Sequence, residues 1–214
     1  MQKKIRRALG LRLEKRFWKQ GIACVIGLDE AGMGPLAGPV CAAAISIGPK
    51  FSISDEVLAS VYDSKRVPPA KREQIYKTFV GHPAVRYATA TVSARTIDTL
   101  NIRNAGALAM KRAAKKMMRT HAMAPIDCTA VIDGTVRLSD FPATQQSIIR
   151  GDQKVYSVAA ASIIAKVTRD RIMRRLDKKF PAYGFADHKG YGTAAHYRAL
   201  KKNGPSPEHR KTFL

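Results

Sequence analysis

Apolar positions along the chain fall into two rhythms, and those rhythms separate strands from helices. Ile22 to Leu28 is an unbroken apolar run rich in Val and Ile. It is too short for a buried helix and predicts a central strand. Val40 to Ile47 predicts the next strand, and its small residues imply close packing against another element. Tyr87 to Val92 alternates and predicts a third. Thr129 to Ile132, ending in Asp133-Gly134, and Ser147 to Ile149, ending near Gly151-Asp152, predict two short strands. Helical spacing places Ile5, Leu9, Leu13 and Phe17 four apart, so residues 1–20 predict a basic helix with one stripe packed on the body. Residues 104–119 predict a helix through Ala107, Leu108, Met110, Ala114, Met117 and Met118, the Met pair serving as core filler. A long helix is predicted from about 154 to 178, its first half apolar and buried, its second half basic. Shorter helices are predicted at 70–80 and 193–202. Gly32, Gly34 and Gly38, with Pro35 and Pro39, mark a tight loop after the central strand. Strands first, then strand–helix alternation, predict an α/β chain: a mixed sheet with helices on it. Without internal repeats or a long linker, one domain over 1–214 is expected, with a basic N-terminal helix at 1–20 and a helical C-terminal part at 180–214.

Composition adds a partner class. Apolar residues make up 45% of the 214, enough for a real core and too many for a disordered chain. Lys and Arg number 38 against 16 Asp and Glu, a net charge of +22. Such an excess points to a polyanion, nucleic acid ahead of an anionic membrane surface. No stretch approaches the roughly 18 apolar residues of a membrane helix. Arg12, Glu14, Lys15, Arg16 and Lys19 interrupt what would be the core of a secretion signal after MQKKIRR. No membrane partner, a cytoplasmic location and a monomer are therefore expected. Cys24, Cys41 and Cys128 are far apart and odd in number, which argues against a disulfide framework and against a zinc site. Cys24 and Cys41 sit in apolar runs and are expected to be buried.

Against this basic background four acids stand out. Asp29 and Glu30 follow the central strand, Asp133 follows another strand, and Asp152 precedes the long helix. Carboxylates at the ends of adjacent strands can converge at one sheet edge, where their like charges need a cation. All-oxygen ligands select hard ions, Mg²⁺ or Mn²⁺. Two such ions, about 3.5–4 Å apart, serve phosphodiester hydrolysis. Singly, each acid has an ordinary reading: Asp152 as a helix cap, Asp133-Gly134 as a turn, Asp29-Glu30 as a solvated strand end. Jointly, and attached to a Gly-rich loop, they point to a metal-dependent site.

These residues carry a resemblance. GLDEAGMGPLAGPV, residues 27–40, closely resembles the opening signature of the bacterial ribonuclease HII family. Asp63-Ser64-Lys65 is similar to that family's DSK element, and Val131-Ile132-Asp133-Gly134 to its third carboxylate motif. Residues 151–171 are similar to its fourth motif and the helix after it. HKGYGT at 188–193 and EHRKTF at 208–213 resemble its C-terminal elements. Order and spacing hold from about residue 13 to 213.

The resemblance implies a ribonuclease H-like fold: a five-stranded mixed sheet flanked by helices, with a helical C-terminal part. It implies an endonuclease that cuts the RNA strand of RNA/DNA hybrids and nicks DNA duplexes at embedded ribonucleotides, leaving a 3′ hydroxyl and a 5′ phosphate. The implied metal ligands are Asp29, Glu30, Asp133 and Asp152. Gly32 and Gly34 belong to the loop whose backbone reads the ribose, and Tyr191 matches the tyrosine under the next, deoxy sugar. A loop anchor between two glycines is the ordinary reading of Tyr191. Lys65, Lys166, Arg169, His188 and Lys189 are expected phosphate contacts, with a solvated helix surface as the other reading of Lys166 and Arg169. The family usually has Arg between the two loop glycines; here Met33 stands there and cannot reach a phosphate. Since the chain stops at Leu214, no sliding-clamp-binding tail is expected, nor the extra N-terminal domain of the related ribonuclease HIII. The competing class is a non-catalytic basic nucleic-acid-binding protein, which has no use for four carboxylates at strand ends. A nuclease for DNA alone would share the acids but not the ribose-reading loop.

Overall fold

Every residue of Cys24 to Asp29 is buried, because the strand β1 (Cys24–Ala31) is covered on both faces and paired on both edges. That is why its sequence is continuously apolar rather than alternating. The structure, a computed structural model, describes residues 9–62 and 64–214. The first part of the predicted helix 1–20 and Asp63 of the DSK element lie outside the described residues. On one edge β1 pairs antiparallel with β2 (Val40–Ile47), which pairs antiparallel with β3 (Val85–Val92). On the other edge it pairs parallel with β4 (Cys128–Asp133), and β4 pairs parallel with β5 (Thr144–Ile148). Among the described residues this is one five-stranded mixed sheet in the order β3-β2-β1-β4-β5.

Helices cover both faces. Helix α5 (Ile102–Thr120) lays Ala105, Ala109, Met110, Ala113 and Met117 against Ile26, Leu28, Val40, Ala42 and Ala44. Helix α6 (Tyr156–Lys179) lays Ala159, Ala160, Ile163 and Val167 on the opposite face against Ala43 and Ile45, joined there by Ile75 and Phe79 of α3 (Pro69–Val80). The alanines of β2 let both helices approach, as their small size predicted. Met117 and Met118 are core residues. The remaining helices are α1 (Arg12–Lys19), α2 (Asp55–Ser60), α4 (Ala94–Leu100), α7 (Phe185–His188) and α8 (Ala194–Asn203). The short helices α2, α4 and α7 carry too few periodic positions to be read from pattern, although Ser93 does cap α4 by accepting from the Thr96 N–H.

The ordinary reading of Asp152 as a helix cap does not hold. Helix α6 begins at Tyr156, so Asp152 is not its cap; Val155 holds that position without a side-chain bond. Its cap comes instead from α1, where buried Glu14 accepts from the Ser157 N–H at 2.8 Å. A carboxylate at a helix N-terminus meets free N–H groups and the positive end of the dipole. The charge run of α1 thus contains one residue that is structural, docking the helix on the body. Cys24, Cys41 and Cys128 are all buried free thiols, and burial pushes those of Cys24 and Cys41 up to about 12. Among the described residues, no helix is long and apolar enough to cross a membrane.

Helix α6 sits on β1 at Gly27, where an added Cβ would meet the Ser157 carbonyl carbon at 2.3 Å and the Val158 nitrogen at 2.6 Å. Both obstacles are backbone. Gly27→Ala is expected to destabilise by about 1–3 kcal/mol, the range for overpacking. A lowered urea midpoint at an unchanged slope would show it; an unchanged midpoint would mean that α6 moves freely on β1.

Candidate active site

The parallel register of β1 and β4 sets Leu28 opposite Ile132. The next residue on each strand, Asp29 and Asp133, therefore leaves the sheet at the same edge, with Glu30 one step further along β1. Asp133 Oδ1 accepts from the Gly151 N–H at 2.6 Å, which ties the end of β4 to the single helical turn 151–153 carrying half-buried Asp152. Asp29 Oδ1 accepts from the Glu30 N–H at 2.7 Å.

These acids stand in one another's field. Burial, then the charges of Glu30 and Asp133, raise the Asp29 carboxyl well above the ordinary range, against the lowering effects of the Ser162 hydroxyl and the Glu30 N–H. Burial, then Asp133, pushes Glu30 up to about 7, with Lys65 opposing. Among the described residues, no three His, Cys, Asp or Glu side chains stand close enough to share one ion as they are placed. Yet Asp29, Glu30 and Asp133 are all carboxylates, the first buried and the other two half-buried, and they repel one another. That is the donor chemistry a hard divalent ion relieves.

Loop 32–39 follows directly on β1, with Met33 beside the Glu30 side chain. Gly32 has φ +101°, and a Cβ there would lie 2.2 Å from Arg169 Nε and 2.9 Å from the Pro39 carbonyl oxygen, so only glycine fits. Gly34 is exposed and nothing lies within 4 Å of its Cβ position, so a ligand can approach its backbone closely. Met33 does more than fail to be Arg: its sulfur would lie 3.3 Å from a Cβ at Gly106 of α5, beside the Glu30 side chain. The thioether fills the space that Gly106 leaves.

The loop's carbonyls are turned inward onto two buried guanidinium groups. Arg169 donates to Pro39 O at 3.0 Å, Lys189 O at 3.0 Å and Ala37 O at 3.1 Å. Arg210 donates to Gly38 O at 3.0 Å, Met33 O at 3.2 Å and Gly32 O at 2.6 Å. Both residues are fully buried. The expectation for Arg169 is thereby corrected: it braces the loop from below and does not present its charge to a phosphate. Arg210 was missed in the sequence reading. Its place in EHRKTF is the one sequence signal, since its partners lie more than 170 residues away.

Tyr191 is exposed beside the same loop, its ring centroid 5.8 Å from Lys166 Nζ and 5.9 Å from Arg169 Cζ. Lys166 also pairs with Asp170 at 2.7 Å. Lys65 is exposed and acts on Glu30 through its charge. The expected phosphate contact at His188 is corrected: one ring nitrogen bonds the Tyr183 carbonyl at 2.7 Å, and the other accepts from the Gly190 N–H at 3.1 Å. Lys189 directs its ammonium to the Ala186 carbonyl, and burial lowers its pKa. The Ser64-Lys65 segment is tied down by Arg72, which donates to Ser64 O at 2.8 Å and Val67 O at 2.6 Å, and by Ser162 Oγ, 2.8 Å from Ser64 Oγ.

Known proteins resemble this chain in sequence and fold. The sequence profile described as Ribonuclease HII matches residues 26–214. The ribonuclease HII of Chloroflexus aurantiacus is 44% identical over 203 residues, which is 95% of this chain and 92% of that one. That of Caldicellulosiruptor saccharolyticus is 41% identical over 202 residues, 94% of this chain and 92% of that one. Among solved structures, ribonuclease H2 from Pyrococcus horikoshii superposes with a TM-score of 0.69 at 26% identity, covering 88% of this chain and 93% of its own. Ribonuclease HII of Archaeoglobus fulgidus, solved in complex with PCNA, gives 0.68 at 25% identity, covering 89% and 95%. With sequence likeness over nearly the whole chain and likeness in overall fold, the chain belongs to the ribonuclease HII family of metal-dependent endoribonucleases.

Proposed function

We propose that this chain hydrolyses the RNA strand of RNA/DNA hybrids and nicks DNA duplexes at embedded ribonucleotides, with Mg²⁺ or Mn²⁺ held by Asp29, Glu30, Asp133 and Asp152. The observation that carries this reading is the β1–β4 register, which brings Asp29 and Asp133 out at the same edge, with loop 32–39 following directly on β1. When bound, divalent ions there supply a water of lowered pKa and positive charge against the leaving 3′ oxygen, in a two-ion arrangement. The chain's own residues do the selecting. Gly32 and Gly34 let backbone approach a ribose, and a 2′-hydroxyl is what distinguishes RNA from DNA at one position. Tyr191 offers a flat apolar face to the neighbouring deoxy sugar. Lys65 and Lys166 flank these groups and meet the phosphates. The inward carbonyls of loop 32–39 leave its outer side to the substrate. The test is Mg²⁺- or Mn²⁺-dependent nicking of a duplex with one ribonucleotide, against an all-DNA control. No nicking of either would favour a non-catalytic basic binder; nicking of both would favour a nuclease indifferent to ribose.

Asp29→Asn removes one charged ligand from the cluster. Turnover is expected to fall at least about a hundredfold, the scale of losing one preorganised electrostatic contact to the transition state. Hybrid binding should be largely kept, because phosphate contacts dominate affinity. The rise in melting temperature that Mn²⁺ gives the wild type should shrink as well. Wild-type turnover with an undiminished Mn²⁺ shift would remove Asp29 from the site.

With a net charge of +22, hybrid affinity should fall steeply with salt. The logarithm of the binding constant is expected to fall linearly with that of salt concentration, by about 0.9 per neutralised phosphate on a B-form duplex. A binding constant that stays level from low to physiological salt would contradict phosphate binding by this surface.

A further inference from the structure

Beneath Tyr191 lies a column of imidazoles that the chemistry above does not use. His188 stacks on His196 with ring centroids 4.3 Å apart, and His196 lies 5.1 Å from His209. His196 and His209 are buried. Their bonds have a direction that can be read from either end. The Ser206 N–H can only donate, and it meets His209 Nδ1 at 2.9 Å. That nitrogen therefore carries no proton, and the proton of the neutral ring is on Nε2. His209 Nε2 lies 2.9 Å from His196 Nε2, so His209 donates and His196 accepts. The His196 proton is then on Nδ1, 3.0 Å from the Tyr191 carbonyl, which can only accept. Protonating either ring would set two N–H groups head to head, so the chain exists only with both imidazoles neutral.

Tyr191 needs an external hold. It sits between Gly190, at φ +83°, and Gly192, two residues whose backbone freedom would let the ring wander. The Tyr191 carbonyl accepts from His196 and from the Thr193 N–H at 2.8 Å; its own N–H donates to His188 O at 3.0 Å. The preceding carbonyl, Gly190 O, accepts from the Leu36 N–H at 2.8 Å. At the other end of the column, His209 forms a backbone bridge with Ala37, and Gly38 N–H donates to Glu208 O at 2.8 Å. The column thus joins the Tyr191 loop to the Gly-rich loop through the C-terminal segment.

We propose that His196 and His209 are positioning residues for substrate recognition: a directional chain of neutral imidazoles, running from Ser206 to the Tyr191 carbonyl, sets the Tyr191 ring against loop 32–39. The proposal rests on the reading of Tyr191 as a sugar platform. The surroundings keep the rings neutral. Phe185 covers the pair at 5.6 and 5.5 Å. The titratable groups facing it are His188, whose nitrogens are both on backbone, and Tyr183, whose hydroxyl donates to Gly204 O at 2.8 Å. Nearby cations are directed elsewhere: Arg169 reaches the loop at Lys189 O, and Arg210 turns to residues 32, 33 and 38. Burial lowers the pKa of His196; burial, then the charge of His196, takes His209 down to about 4.

Steady-state kinetics on a duplex with one ribonucleotide, joined to ¹⁵N NMR of the imidazoles, tests this. His196→Leu should raise KM roughly three- to tenfold with kcat kept, the scale of one hydrogen bond used equally in ground and transition states. His196→Asn places an amide N–H near the Nδ1 position and should restore most of the loss. Tyr191→Ala should raise KM at least as much, and adding His196→Leu to it should change nothing further. Unchanged KM in Tyr191→Ala would overturn the platform reading and the histidine role with it. Raised KM in Tyr191→Ala with wild-type KM in His196→Leu would overturn the positioning role alone. The wild-type spectrum needs no variant to fold: Nδ1–H at His196, Nε2–H at His209 and no titration of His209 between pH 8 and 6 are expected. The opposite tautomers, or a His209 that titrates near its ordinary value of about 6.5, would also overturn it.

Discussion

The parallel pairing of β1 with β4 is the constraint from which the site follows. Two strands that run the same way, held in register from Cys24↔Cys128 to Leu28↔Ile132, end together. Carboxylates placed at both ends come within one another's field, Asp29 buried and Asp133 half-buried. In isolation, that arrangement is unfavourable, because buried like charges raise one another's proton affinity. The rest of the fold holds the strands so firmly that the acids cannot separate: β1 is covered by α5 on one face and α6 on the other, and α6 touches it closely enough to require Gly27. In the proposed reading the repulsion has a use, since a divalent cation is what would lower it.

A second layer faces the first. Arg169 and Arg210 bury two positive charges, each turned onto backbone carbonyls, five of them in loop 32–39 and one at Lys189. A buried guanidinium is tolerated when its donors are satisfied, and six backbone carbonyls satisfy these two. The consequence is a glycine-containing loop that is rigid despite its composition. Rigidity supplied from below leaves the outer face of the loop open to close approach, as the proposed reading of a sugar hydroxyl requires. The imidazole column extends the same logic to Tyr191, again by satisfying carbonyls from the buried side.

Positive charge therefore has two separate jobs here. Most of the basic residues are solvated and give the chain its affinity for polyanions. A few are buried and structural, and the count of charges by itself cannot tell them apart. Glu14 is the acidic counterpart: one member of an otherwise exposed charged helix, withdrawn from water to cap α6.

How much of this was legible beforehand depended on how local the cause was. Strands β1 to β4 and the longer helices follow from apolar runs and spacing, because burial of a continuous face is written in consecutive residues, whereas the polar edge strand β5 (Thr144–Ile148) begins three residues before the expected Ser147–Ile149 and buries no continuous face. Asp29, Glu30, Asp133 and Asp152 stand out because acids at strand ends are unusual in a chain so basic. Helices α2, α4 and α7 were not legible, being too short to show a period. The jobs of Arg169 and His188 were misread, since a cation or imidazole in sequence does not reveal whether its donors meet solvent or backbone. Arg210, the Met33–Gly106 contact and the His196–His209 chain join residues from about 13 to 178 positions apart. The sequence by itself determined the longer elements and the candidate acids, because patterning and composition act along the chain. Which charges face outward, and which hold the loops from beneath, only the tertiary structure decided, because that depends on partners the chain brings together by folding.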